Sequence, residues 1–150
     1  GSFSGSAVAS ASLRRIGIFK DLDEAMCDQI AGLFRIEEAA PGAVVFRQFD
    51  VGDKFYVIAR GRVRVSAAGG DGIEHTLAVL QDGDNFGEVA LLSDSPRNAT
   101  VTSEAATVFL TLRRTAFQRL LERYPGILAT LQQQLKVRHG ADDAVVSVGS

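Results

Sequence analysis

The chain has 150 residues, 46% hydrophobic and 23% charged, with 16 basic and 18 acidic side chains and a net charge of −2. That is the composition of one globular domain, and it excludes a wholly disordered chain and advertises no nucleic-acid surface. No apolar run approaches the ~18 residues of a membrane span, and the lone Cys27 excludes an internal disulfide and a Cys-rich zinc site.

Residues 1–12 are mostly Gly, Ser and Ala and read as a flexible lead-in or cloning linker. A helical pattern follows from 13 to 34. Leu13, Ile16, Ile18 and Phe19 form a short apolar segment, Asp21 is the expected N-cap with Glu24 three residues on, and Leu22, Met26, Ile30 and Leu33 make one face. Cys27 reads as an inert, at least half-buried thiol. From about 35 to 113 short runs alternate with glycine turns. The expected strands are Ala43–Phe46, Lys54–Ala59, Arg62–Ala67, His75–Leu80, Ala99–Ser103 and Thr107–Leu112, with Glu37-Glu38 on an exposed strand edge. Thr115 and Gln118 suggest a capping box, Phe117, Leu120, Leu121 and Tyr124 an apolar face, and Pro125 a helix end. A last helix is expected over about 126–138, and 139–150 read as a loose tail. The fold class is mainly β with flanking α: a small β-barrel or jelly roll over 13–138, an N-terminal helical segment and two C-terminal helices.

One stretch, Phe86 to Val101, breaks the strand alternation. Gly87 precedes a short helix, Glu88 to Leu92. Ser93-Asp94-Ser95-Pro96 turns the chain, and Arg97 stands just before a strand. A helix start with unpaired backbone N–H groups and a guanidinium fork together suit an anion, and glycine lets a ligand approach the backbone. Glu88 repels anions but accepts from a hydroxyl, so the set describes a sugar phosphate. Taken singly these residues have ordinary readings: Arg97 paired with Asp94 at the surface, Glu88 facing the helix dipole, Gly87 in a turn.

The run Phe86-Gly87-Glu88-Val89-Ala90-Leu91 with Pro96-Arg97-Asn98-Ala99-Thr100-Val101 resembles the phosphate-binding cassette of cyclic nucleotide-binding domains. The resemblance extends to Pro41-Gly42, to Gly52-Asp53-x-Phe55-Tyr56-x-Ile58-x-x-Gly61-x-Val63-x-Val65 and to Asp82-Gly83-Asp84, and covers about 13–138. It implies that Glu88 holds the ribose 2′-hydroxyl and Arg97 the cyclic phosphate, with backbone N–H groups near Gly87, Asn98 and Ala99 completing the cradle. It also implies that Val65 and Leu77 line the purine, and that the last helix, through Leu131, Leu135, Lys136 or Arg138, covers the base as a lid. Two residues depart from the family pattern. Phe49 stands where a glycine is frequent, and Asn98 stands where cGMP binders often carry Thr and cAMP-binding kinase domains Ala.

The reading that follows is a regulatory module, not an enzyme. It binds cAMP in preference to cGMP, uses no metal, and passes closure of the last helix to an effector domain or subunit outside this chain. The alternatives are the effector-binding domain of a catabolite-activator-like transcription regulator and a structural module that has lost its ligand. His75 and His139 suggest no metal pair, and no nucleophile–base set is visible. One cysteine suits a reducing compartment, so the expected location is cytoplasmic or the cytosolic face of a membrane protein. The chain is not expected to insert into a membrane or to bind nucleic acid, and the C-terminal helices are the surface for any homo-oligomer.

Overall fold

The computed structural model describes residues 13–141, with side chains to Lys136. The expected lead-in, residues 142–150 of the expected tail, and the side chains of Arg138 and His139 lie outside the described residues.

The strands form two four-stranded sheets. The first holds β1 (Arg35–Ala39), β8 (Thr107–Arg113), β3 (Lys54–Arg60) and β6 (Asn85–Phe86), in the order β1-β8-β3-β6. The second holds β2 (Val44–Phe46), β7 (Thr100–Ser103), β4 (Arg62–Ala68) and β5 (Glu74–Gln81), in the order β2-β7-β4-β5. All neighbours are antiparallel. The expected barrel is therefore an open pair of sheets, its jelly-roll form. Helices flank it: α1 (Glu24–Ala31) after a 3-10 turn at Gly17–Phe19, α2 (Glu88–Ser93) between β6 and β7, then α3 (Arg114–Arg123) and α4 (Pro125–Ala141).

Strand periodicity explains the two cores. Successive side chains of β3 point to opposite faces. Phe55 and Val57 join Leu110 and Leu112 of β8 against the helices, where Phe19, Ile30, Phe117, Leu120 and Leu131 pack. Tyr56 and Ile58 face the other way, into a cluster between the sheets with Phe46, Val63, Val65, Phe86, Val101 and Phe109. A strand buried on both faces reads as a continuous apolar run, which Phe55-Tyr56-Val57-Ile58 is.

Several local expectations shift. The N-cap of α1 is Asp23, not Asp21: its carboxylate accepts from Met26 N at 2.8 Å. The buried face therefore rotates to Cys27, Ile30 and Ala31, and Leu33, beyond the helix end, is 43% exposed. The Thr115–Gln118 box does not cap α3, which starts from Arg113 without a side-chain cap. Strand β8 runs straight into the helix, and Arg114 N donates instead to Asp53 O at 2.9 Å. Glu38 is exposed as expected, but Glu37 is half-buried and accepts from Lys54 Nζ at 3.0 Å and Thr111 Oγ1 at 2.7 Å.

Candidate functional site

Gly87 caps α2 with φ +89°, a backbone that L side chains rarely adopt. A Cβ there would stand 3.0 Å from Arg97 Nη1 and 3.2 Å from Lys54 O, so a side chain is disfavoured by space as well as by conformation. Glu88, the next residue, is 1% exposed and its Oε1 accepts from Asn85 Nδ2 at 2.8 Å. Arg97, 2% exposed, closes the constellation. Its Nη1 donates to Gly87 O at 2.8 Å and its Nη2 to Lys54 O at 2.7 Å. Its guanidinium carbon lies 4.0 Å from the Phe46 ring centroid.

The loop between β2 and β3 holds this arginine from behind. Phe49 N donates to Arg97 O at 2.7 Å, and Arg97 N donates to Asp50 O at 2.8 Å. Phe49 meets that pairing at φ +78° with its side chain 76% exposed. Phe49 thus stands, where the resembled family often has a glycine, in the left-handed backbone region that glycine favours. Gly52 packs on the guanidinium: a Cβ there would lie 2.9 Å from both Cζ and Nε of Arg97 and 2.6 Å from Ala90 Cβ.

Burial works against the Arg97 charge and lowers its proton affinity, while Tyr56, Asp53 and Glu88 favour the charged form and Arg114 opposes it. Burial likewise pushes the Tyr56 hydroxyl up to about 12, so it is neutral at physiological pH. A buried cation carrying five N–H groups and committing two to carbonyls keeps donors for an anion. A carboxylate beside it can accept from a hydroxyl.

The fold thus brings Gly87, Glu88, Ala90 and Arg97 together, Ala90 being 1% exposed. Phe86, Ala99 and Val65 are buried in the cluster between the sheets, with Leu77 packed against it. Val89 is half-buried and Pro96 exposed at the turn. Asn98 is half-buried, and its Oδ1 is fully buried with no hydrogen-bond partner among the described residues. Asp94 faces Arg114, at 3.6 Å, rather than Arg97. Leu131 of the last helix is fully buried, in the same core as Ile16, Ile18, Ile127 and the Phe55 and Val57 side of β3, and no described residue of α4 belongs to the cluster that contains Val65 and Leu77. Leu135 is half-buried and Lys136 exposed. Among the described residues no group of three or more His, Cys, Asp or Glu could hold a metal ion, and no helix is long and apolar enough to cross a membrane.

Sequence reasoning missed Asn85, Phe46 and the Arg97-facing role of Gly52. Asn85 carried a signal, an amide three residues before the buried acid. Phe46 carried none, because its contact with Arg97 arises only when two distant segments meet.

Comparison with known proteins agrees with this geometry. The family described as cyclic nucleotide-binding domain matches residues 36–124. The cAMP-dependent protein kinase regulatory subunit of Yarrowia lipolytica is 38% identical over 109 residues, covering 73% of this chain and 28% of that protein. The cGMP-dependent protein kinase of Toxoplasma gondii is 32% identical over 130 residues, covering 83% of this chain and 13% of that protein. The regulatory domain of Toxoplasma gondii PKA, solved with cAMP, superposes with a TM-score of 0.82 at 25% identity, covering 89% of this chain and 51% of the other. The chain spans about a third of the length, or less, of the curated relatives it matches.

Proposed function

The chain belongs to the cyclic nucleotide-binding domain family, and from that premise we propose that it is a ligand-sensing regulatory module that binds cAMP in preference to cGMP and signals to an effector outside this chain. The observation that carries the reading is the convergence of Arg97 and Glu88 on Gly87, a cation and a carboxylate buried side by side at a glycine-capped helix start. A cyclic phosphate would engage the guanidinium with the backbone N–H groups near Gly87, Asn98 and Ala99, the adjacent ribose hydroxyl would donate to Glu88, and Val65 and Leu77 would meet the purine. The ligand would act by population shift, favouring the arrangement of the cassette and of the Phe117–Leu120–Tyr124 face of α3 to which it binds more tightly. Effectors of the class meant are a channel, a transporter or an enzyme. The absence of a nucleophile–base set in the sequence supports a regulatory rather than catalytic role.

Calorimetric titration with cAMP and cGMP tests this. Arg97→Ala should cost about 2–5 kcal/mol of binding, roughly 30-fold or more, because it removes one partner of a buried charge-assisted pair. Unchanged affinity would end the phosphate assignment.

One observation favours a second reading, preference for cGMP. The buried Asn98 Oδ1 is an acceptor without a partner among the described residues, and guanine carries a 2-amino donor that adenine lacks. If the amide instead turns its N–H toward the phosphate, that donor finds no acceptor and its desolvation goes uncompensated. Asn98→Ala should leave cAMP affinity nearly unchanged under the first reading. Under the second, wild type prefers cGMP and Asn98→Ala removes the preference.

A further inference from the structure

We infer that Phe46 is a positioning residue for Arg97, presenting an aromatic face that holds the guanidinium ready for its anion. The inference rests on the reading of Arg97 as the phosphate ligand. Three features of the structure carry it. The guanidinium carbon lies 4.0 Å from the centroid of the Phe46 ring, within cation–π range, while Tyr56 is more distant at 6.0 Å. The Phe46 ring is itself immobilised, 5.7 Å from Tyr56 and 5.8 Å from Phe86, centroid to centroid, and is 8% exposed. Arg97 Nε is buried without a hydrogen-bond partner among the described residues, so the two carbonyl bonds of Nη1 and Nη2 do not by themselves satisfy the group.

The geometry divides the labour within one side chain. A guanidinium bonds hydrogen through its edge and meets an aromatic ring through its face, so the two kinds of contact do not compete. The ring also keeps water off a charge that burial already penalises, and it restricts the rotamers available before the ligand arrives. A ligand group held in its bound geometry loses less freedom on association, which appears as affinity. An aliphatic residue at 46 would fill the space without attracting the cation.

The test replaces the ring's electronics while keeping its shape. Phe46 is exchanged for 4-fluoro- and then 3,4,5-trifluorophenylalanine, with Phe46→Leu alongside, and cAMP affinity is measured by calorimetry. Affinity should fall stepwise with fluorination and by about three- to thirtyfold in Phe46→Leu, the worth of one cation–π contact. In the ligand-free protein the Arg97 Nε–H resonance should be shifted upfield by the Phe46 ring current in wild type and released in Phe46→Leu. Should Phe46→Leu fail to fold, the fluorinated proteins, which keep the ring, still decide. Affinity that is unmoved or raised by fluorination while Arg97→Ala abolishes binding overturns the inference and leaves the site assignment standing. Unchanged affinity in Arg97→Ala overturns the site assignment, and the inference with it.

Discussion

At the scale of single residues, candidates were legible where the residue type is itself unusual for its setting. A carboxylate and a guanidinium are costly to bury unless paired or used; Glu88 and Arg97, flanking a glycine-led turn, could be named from sequence as candidates, and the structure buries both. What could not be read was their support. Gly52, Phe46 and Lys54 O reach Arg97 from a loop and strands that sequence distance separates by dozens of residues. Phe49 is instructive for the same reason. Its φ of +78° belongs to a turn that Asp50 N closes on Arg47 O, and the turn is held in place by the backbone bonds that Phe49 N and Asp50 O make with Arg97. Left-handed backbone costs an L residue roughly 1–2 kcal/mol, against about 0.5–1 kcal/mol for the extra unfolded-state freedom of glycine. The exposed ring contributes little packing. Phe49→Gly should therefore stabilise the protein by about 0.5 kcal/mol, measured by denaturant unfolding; a loss of stability would mean that the ring has a partner.

At the scale of elements, strand periodicity served better than capping signals. Both β4 and β8 were placed correctly as strands: β4 turns Val63, Val65 and Ala67 into the cluster between the sheets, whereas β8 is buried on both faces, Phe109 between the sheets and Leu110 and Leu112 against the helices. The two cap positions failed differently: α1 is capped locally, by Asp23 two residues past the expected site, while α3 begins where Arg114 N meets a carbonyl from another loop, not where its own Thr115 suggested. Strand β1 was recognised only as an edge, since Arg35–Ala39 is polar and its pairing with β8 is what orders it. Its Glu37 makes a measurable prediction. Burial alone would raise that carboxyl's pKa, but hydrogen bonds from Thr111 and Lys54, with the charges of Lys54 and Arg35, outweigh it and hold the group below its ordinary value of 4.5. A depressed carboxylate contributes stability that is fully present above that ordinary value and fades as pH falls through the lowered one. Glu37→Gln should thus melt below wild type at pH 7, by a gap of under about 1 kcal/mol for so exposed a pair. The gap should close on acidification below pH 4.5. A gap that persists at pH 2 would assign the effect to packing instead.

At the scale of the molecule, the layered arrangement was foreseen, and so was the last helix as an element, but not which residues cover its apolar stripe. An apolar stripe on a helix states that something covers it, not what. Leu131 is buried in a core shared by the 3-10 turn, the apolar residues before it and one face of β3 and β8. The strand that divides the two cores has a further consequence. Tyr56 belongs to one and Phe55 and Val57 to the other, so the wall between them is a single polypeptide thick. Neither core can melt while its neighbour persists, because losing β3 strips a side from both. The protein should therefore behave as one cooperative unit, with a calorimetric enthalpy of unfolding equal to the van't Hoff value; two resolved transitions would mean that the strand survives the loss of one layer. Heat taken up on one side of that wall is in this sense shared by the other, and the thermodynamic boundary of the folded unit lies outside both cores rather than between them.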